Sequence, residues 1–187
     1  MRLLSLIAAG LVVACAAPVT PPAPRPASIA LVNPGFESTA SGRRNDPEGW
    51  FSFQHAGEPS YRFVVDTANP HGGARSLRID NTGPDVYGAM AQSLDALGYA
   101  GKTARFSGWL RTNETNEGGA VLTILALGNG ATLANNFMAA SAVKGTTPWT
   151  RYTITLAIPP RTDRVEVGAM LQGKGSLWLD DVELTLE

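Results

Sequence analysis

The chain lacks most of what catalysis and metal chemistry usually draw on. It has 1 cysteine and 2 histidines among 187 residues. No disulfide can close within one chain, so any stable domain must be held by packing alone. His55 and His71 both fall in turn-rich stretches and form no ligand cluster. There is no Gly-x-Ser-x-Gly elbow, no His-Glu-x-x-His and no well-placed Cys–His pair. A glycosidase needs two opposed carboxylates at a set separation, and no such pair stands out. Charge is sparse and balanced, at 17% Asp, Glu, Lys and Arg with a formal net charge of −1. Without a basic block, nucleic acid and anionic membrane surfaces are poor partners. No long helical period runs through the chain either. Glycine, threonine and β-branched residues abound instead, which predicts an all-β class.

The N-terminus reads as a targeting segment. Met1-Arg2 precedes an apolar run, Leu3–Val13, that is too short to span a bilayer as a mature helix. It ends in Val12-Val13-Ala14-Cys15, which resembles the bacterial lipobox and makes Cys15 the expected lipidated residue. The alternative is ordinary cleavage near Ala14-Cys15-Ala16, which would release a secreted form. Residues 1–15 are thus expected to be a signal peptide and 16–28 a proline-rich, extended linker. Residues 29–187 form the expected single domain. The expected location is the cell envelope, with a lipid tether as the only membrane contact.

Within that domain the pattern is of short strands divided by turns. Expected strands are Ile29–Val32, Gly49–Phe53, Tyr61–Asp66, Ser76–Asp80 and Val86–Leu94. Thr103–Thr112 and Ala120–Leu127 are expected to flank a polar hairpin loop at 113–119. Asn129–Gly145 reads as a long irregular excursion, followed by strands Arg151–Ile158 and Val165–Leu171. The last strand, Ser176–Glu187, breaks its own alternation. Leu177 and Leu179 keep one phase, while Val182, Leu184 and Leu186 keep the other. One extra residue at Asp180-Asp181, a β-bulge, returns both halves to the same core. Nine or ten strands at this spacing predict a two-sheet antiparallel β-sandwich or jelly roll.

Several landmarks then fall in order: Asn33-Pro34-Gly35-Phe36-Glu37, Gly49-Trp50, His71–Leu77, Gln92, Phe106–Thr112, Trp149–Tyr152 and Trp178–Val182. Together they resemble the galactose-binding-like jelly rolls, and among them the carbohydrate-binding modules of the CenC type. That resemblance implies a structural Ca2+ tying the first strand to the last, with Glu37, Asp180 and Asp181 as carboxylate ligands and carbonyls near His71–Ser76 completing the shell. The other reading of the two aspartates is that they cap the bulge and bond nearby amides or an arginine.

For a sugar site, an aromatic ring must meet the apolar face of a pyranose while amides and charges meet its hydroxyls. Surface candidates are Trp50, Tyr87, Gln92, Trp109, Arg111 and Asn136, with Asn135 beside it. Trp109 and Arg111 share one strand face, expected to line a concave groove. Trp149 and Trp178 are assigned to core or edge packing. The leading expectation is a non-catalytic, membrane-anchored module recognising a polysaccharide or glycan. The alternative is a cell-envelope interaction domain of the same fold without sugar binding.

Overall fold

A computed structural model of the chain describes residues 26–40 and 47–187. Ten strands are present: β1 Ala27–Ile29, β2 Phe51–Gln54, β3 Tyr61–Asp66, β4 Ser76–Asn81, β5 Tyr87–Asp95, β6 Thr103–Gly128, β7 Ala131–Asn136, β8 Val143–Ala157, β9 Arg164–Gln172 and β10 Ser176–Leu186. All pairings are antiparallel. Among the described residues the only helical element is a 3-10 turn at Ala139–Ser141.

The long strand β6 organises the sandwich because its two halves belong to different sheets. Residues 103–113 lie between β8 and β10, and β10 continues to β4 and β3, with β1 on its other end. Residues 119–128 lie between β9 and β7, and β9 continues to β5 and β2. The expected hairpin at 113–119 is therefore not formed. Polar composition there marks a kink, with Glu114 at φ 52° and the β8 register slipping three times before Ala120. A strand that switches sheets and a hairpin loop need the same residue types, and only the distant partners separate them.

The two sheets pack face to face, β4 and β10 against β5 and β9. Leu77, Ile79, Phe106, Leu110, Leu177, Leu179 and Leu184 on one side meet Met90, Leu122, Ile124, Val167 and Leu171 on the other, all essentially buried. Each such side chain contributes roughly 1.5–3 kcal/mol through removal from water. The excursion expected at 129–145 is largely ordered, since β7 pairs with β6 through Ile124–Asn136 and Gly128–Ala131. β1 lies slightly earlier than expected, with Ala27 and Ser28 already paired to Leu186 and Thr185.

The bulge in the last strand is present. The β6–β10 register shifts between Asp180 and Glu183, and Asp181 takes φ 44°. Its effect on packing is as the alternation required, with Leu177 and Leu179 before it and Val182, Leu184 and Leu186 after it all buried. The Val182 N–H donates to the Pro34 carbonyl at 3.0 Å, so the Asn33–Glu37 turn is docked directly on the bulge.

Candidate functional site

Each sheet has one face on the core and one turned outward. On the second sheet the register places Tyr87 opposite Gln172, Ala89 opposite Met170 and Ala91 opposite Gly168. At the edge, Phe51 pairs with Ala91 and Phe53 with Ala89. On the inner side Thr123 pairs with Gly168 and Leu125 with Glu166. Small side chains in the centre and rings at the rim produce a depression of about 330 Å3, lined by Phe53, Tyr87, Ala89, Ala91, Phe137, Met170 and Gln172 among others. Gly168 fits this floor for a steric reason, as a Cβ there would run into the Met90 carbonyl.

The rim is aromatic and partly wet. Phe51 and Phe53 are each 42% exposed, a high value for phenylalanine on a monomer surface. Their rings stack at 6.0 Å, and Phe53 meets Tyr87 edge-on at 6.5 Å. His55 also packs against Tyr87, at 5.5 Å, with its Nδ1 3.3 Å from Asp85. Polar groups border the rings: Gln172, Thr123 and Glu166, whose carboxylate pairs with Arg164 at 3.3 Å. An apolar floor, ring walls and a few polar groups are what a saccharide face asks of a protein.

The outer face of the first sheet differs. Trp178 is buried there between two guanidiniums, Arg78 at 4.7 Å and Arg111 at 4.9 Å from the ring centre, and its Nε1–H donates to Asp66 at 2.6 Å. Arg62 and Arg78 both pair with Asp80 at 2.7 Å. Burial opposes the charge of Asp80, but the Ser176 hydroxyl and the two arginines outweigh it and hold its carboxyl below the usual range. A larger, shallow depression of about 600 Å3 lies further along this face, lined by Arg105, Ser107, Arg151, Thr153 and Glu183 among others. Its charges are paired across it, Arg151 with Glu183 and Arg105 with Glu187, and no aromatic ring lines it.

The residues expected to share one sugar groove are therefore dispersed. Trp50 is not on the surface: it is 8% exposed, packs on Phe36 at 4.9 Å and donates to the Val32 carbonyl. Gln92 is 3% exposed, and its amide bonds both backbone groups of Val32, at 2.8 and 2.9 Å. It takes the place of a strand partner for that segment. Asn136 donates to the Thr155 carbonyl and accepts from the Met138 N–H, holding β7 to its surroundings. Trp109 and Arg111 do share a face, but it is that of the first sheet, where Trp109 stacks on His71 at 3.9 Å. Of the six, only Tyr87 lies in the aromatic depression. Phe51, Phe53, Phe137, Glu166 and Gln172 were not among the expected residues. The signal for two of them was available, as Phe51-Ser52-Phe53 puts both rings on one face of an edge strand. Cys15 lies outside the described residues.

The three acids at the chain ends all meet the 71–75 loop. Asp180 is fully buried and accepts from the N–H groups of His71 at 2.8 Å, Gly72 at 3.2 Å and Asp181 at 2.8 Å. Burial pushes its carboxyl up to about 6, against the pull of those three N–H groups. Asp181 meets His71 Nδ1 at 2.7 Å. Glu37 accepts from the Ala74 and Arg75 N–H groups at 2.9 and 3.2 Å. The loop can approach so closely because Gly73 has no side chain and sits at φ 59°, where a Cβ would strike the Glu37 carboxylate. All three acids also border Gly35, where an added Cβ would lie 3.6 Å from Asp181, 3.9 Å from Asp180 and 3.9 Å from Glu37. Their oxygens are nonetheless directed at N–H groups, and no group of three or more His, Cys, Asp or Glu among the described residues is arranged to hold a metal.

Comparison with known proteins places this geometry in context. The profile of a family described as carbohydrate binding domain matches residues 29–175. The xylan-binding domain of a Paenibacillus barcinonensis protein is similar in structure, with TM-score 0.59 and 15% identity over 81% of this chain and 90% of that one. A Stig cyclase from Fischerella sp. TAU is similar too, with TM-score 0.61 and 16% identity over 87% of this chain and 98% of that one. These likenesses concern the fold. An uncharacterized HTH-type transcriptional regulator of Bacillus subtilis (strain 168) is 27% identical over 125 residues, 65% of this chain. The match spans only 42% of the regulator's length.

Proposed function

The chain belongs to the carbohydrate binding domain family, and we propose that it is a non-catalytic module holding a saccharide on the outer face of its second sheet. The observation that carries this reading is the depression between Phe53, Tyr87 and Phe137, floored by Ala89 and Ala91. A pyranose laid on the exposed Phe53 ring buries its apolar face, while Gln172, Thr123 and Glu166 are placed to bond its hydroxyls. Phe51, stacked on Phe53, extends the platform beyond one ring and suits a chain of sugars rather than a single one. The similar domain from Paenibacillus barcinonensis is named for xylan binding, which makes neutral polysaccharides the first ligands to try. An affinity-gel screen of the full chain against neutral polysaccharides, repeated with Phe53→Ala and Tyr87→Ala, tests the site. Retardation that both variants abolish supports it. A folded protein that no glycan retards would leave the face to a protein partner.

Two further parts of the proposal concern how the module is fastened. The calcium that the resemblance implies would need Glu37, Asp180 and Asp181 to turn oxygens from the N–H groups they now face toward the space beside Gly35. The donor set is hard oxygen from both chain ends, and a cation there would reverse the upward push on the Asp180 carboxyl. Its contribution is to stability, since an ion bound only by the native state favours that state. A chelator should lower Tm and added calcium restore it; an unchanged Tm in both would remove calcium from the account. The second part is a lipid tether at Cys15, supported by the sequence pattern that ends there. Metabolic labelling with a fatty-acid analogue, compared between the native chain and Cys15→Ser, checks it.

A further inference from the structure

The outer face of the first sheet carries a feature that the aromatic depression leaves without a role. Leu110 of β6 pairs with Thr150 of β8, but Thr112 pairs with Thr147. Two residues, Pro148 and Trp149, therefore stand opposite Arg111 alone, a bulge that turns Trp149 outward beside it. Trp149 is half-buried, and its indole N–H is enclosed with no acceptor among the described residues. Because its N–H is enclosed, the side chain offers carbon, and its ring meets His71 edge-on at 5.8 Å. With Arg111, Asn69, Pro70, Thr146 and Thr147 it lines a depression of about 490 Å3.

The charge of this depression sets it apart from the rest of its face. Arg62 and Arg78 are paired with Asp80, Arg105 with Glu187 and Arg151 with Glu183. Arg111 meets no carboxylate within ion-pair distance among the described residues; its guanidinium is held over Trp178 at 4.9 Å instead. A planar cation fixed on a ring keeps its N–H fork oriented and loses little freedom when an anion arrives. The matching partner for that fork is a carboxylate, bound through two parallel hydrogen bonds. The Trp149 ring supplies the surface for a pyranose, and the exposed Asn69 amide supplies a partner for its hydroxyls. The Thr146 hydroxyl, which accepts from the Glu114 N–H at 3.0 Å, and that of Thr147, 2.9 Å from Thr112, form the wall.

We propose that this depression is a second saccharide site, specific for sugars that carry a carboxylate, such as uronic acid units. It lies on the opposite sheet from the aromatic depression, where the one carboxylate beside the rings, Glu166, is paired with Arg164 at 3.3 Å. One module would thus take neutral and acidic stretches of polysaccharide on its two outer faces, independently of each other.

The test is calorimetric titration of the full chain with a galacturonic acid trimer and, separately, with a neutral xylose hexamer. The uronate trimer should bind, and Arg111→Gln should weaken it about ten- to a hundredfold, the range expected for losing a charge-assisted pair. Arg111→Lys, which keeps the charge without the fork, should recover only part of that loss. Asn69→Ala, in an exposed loop where the sheet is not at risk, should weaken binding by a few fold. Phe53→Ala should leave the uronate trimer bound as before, so that failure at one face is separable from failure at the other. Methyl esterification of the trimer should act like Arg111→Gln. No binding of the uronate trimer, binding that Arg111→Gln and Asn69→Ala both leave unchanged, or binding that Phe53→Ala abolishes would each overturn the proposal.

Discussion

The two outer faces of this sandwich are built from the same backbone and differ in what their side chains do for one another. On the first sheet the large groups satisfy each other. Trp178 lies between Arg78 and Arg111, its N–H on Asp66, while Asp80 gathers Arg62, Arg78 and Ser176. On the second sheet Phe51 and Phe53 are left 42% exposed beside a floor of alanine and glycine. Aromatic area that a fold packs against itself is a source of stability, and aromatic area left at the rim of a depression is a source of binding. Three tryptophans, Trp109, Trp149 and Trp178, are the most conspicuous residues of the first face. On the proposed reading, ring size alone points away from the sheet that would take the neutral ligand.

That contrast should be sharpest in stability. Trp178→Ala removes a buried ring and should cost about 3–5 kcal/mol, read as a lower denaturation midpoint, while the folded fraction still binds a neutral glycan. The reciprocal variant, Phe53→Ala, should leave the midpoint nearly unchanged. Its loss should appear in affinity, about thirtyfold or roughly 2 kcal/mol for a central aromatic contact. If Phe53→Ala unfolds the domain and Trp178→Ala abolishes binding, the two faces have been assigned the wrong way round.

The sequence foreshadowed this fold unevenly, and the residues show why. The phase change between Leu179 and Val182 marks the bulge without any knowledge of partners, because a strand has only two faces and both halves must reach one core. Elsewhere the deciding information is non-local. Whether 113–119 turns back or runs on depends on β8, β9 and β10, whose partner residues lie from 30 positions away (Thr115 to Gly145) to 63 (Asn113 to Ser176). Trp50 and Gln92 are residue types that suit a sugar groove, yet their partner is the Val32 backbone, and nothing in their immediate neighbours announces it. The acids at the two chain ends border one turn at Gly35, with their oxygens on N–H groups of the 71–75 loop. The aromatic depression was legible only in part, through the alternation of Phe51 and Phe53. Its floor depends on the pairing of β5 with β9.

Smaller effects refine the comparison. Asp80 is held ionised by Ser176, Arg62 and Arg78 against its own burial, so its folded carboxyl titrates below the unfolded one. The unfolded chain therefore takes up that proton first as pH falls. The stability Asp80 contributes is complete above the unfolded value and is lost as pH drops through the folded one. Asp80→Asn should cost about 1–2 kcal/mol at neutral pH, and the cost should shrink in acid. Denaturation curves at pH 7 and pH 3 measure both. The smallest effect belongs to the Arg151–Glu183 pair, where both side chains are about half exposed. A double-mutant cycle there should return less than about 1 kcal/mol, falling further in high salt.

The central claim is that a neutral saccharide lies on the second sheet. Its most direct test is amide chemical-shift mapping of the isotope-labelled full chain during titration with a xylose hexamer. The account predicts shifts clustered at Phe51, Phe53, Tyr87, Ala89, Ala91, Glu166 and Gln172, with Trp109, Arg111 and Trp178 unmoved. Saturable shifts confined to the first sheet, with Phe53 and Tyr87 silent, would contradict it.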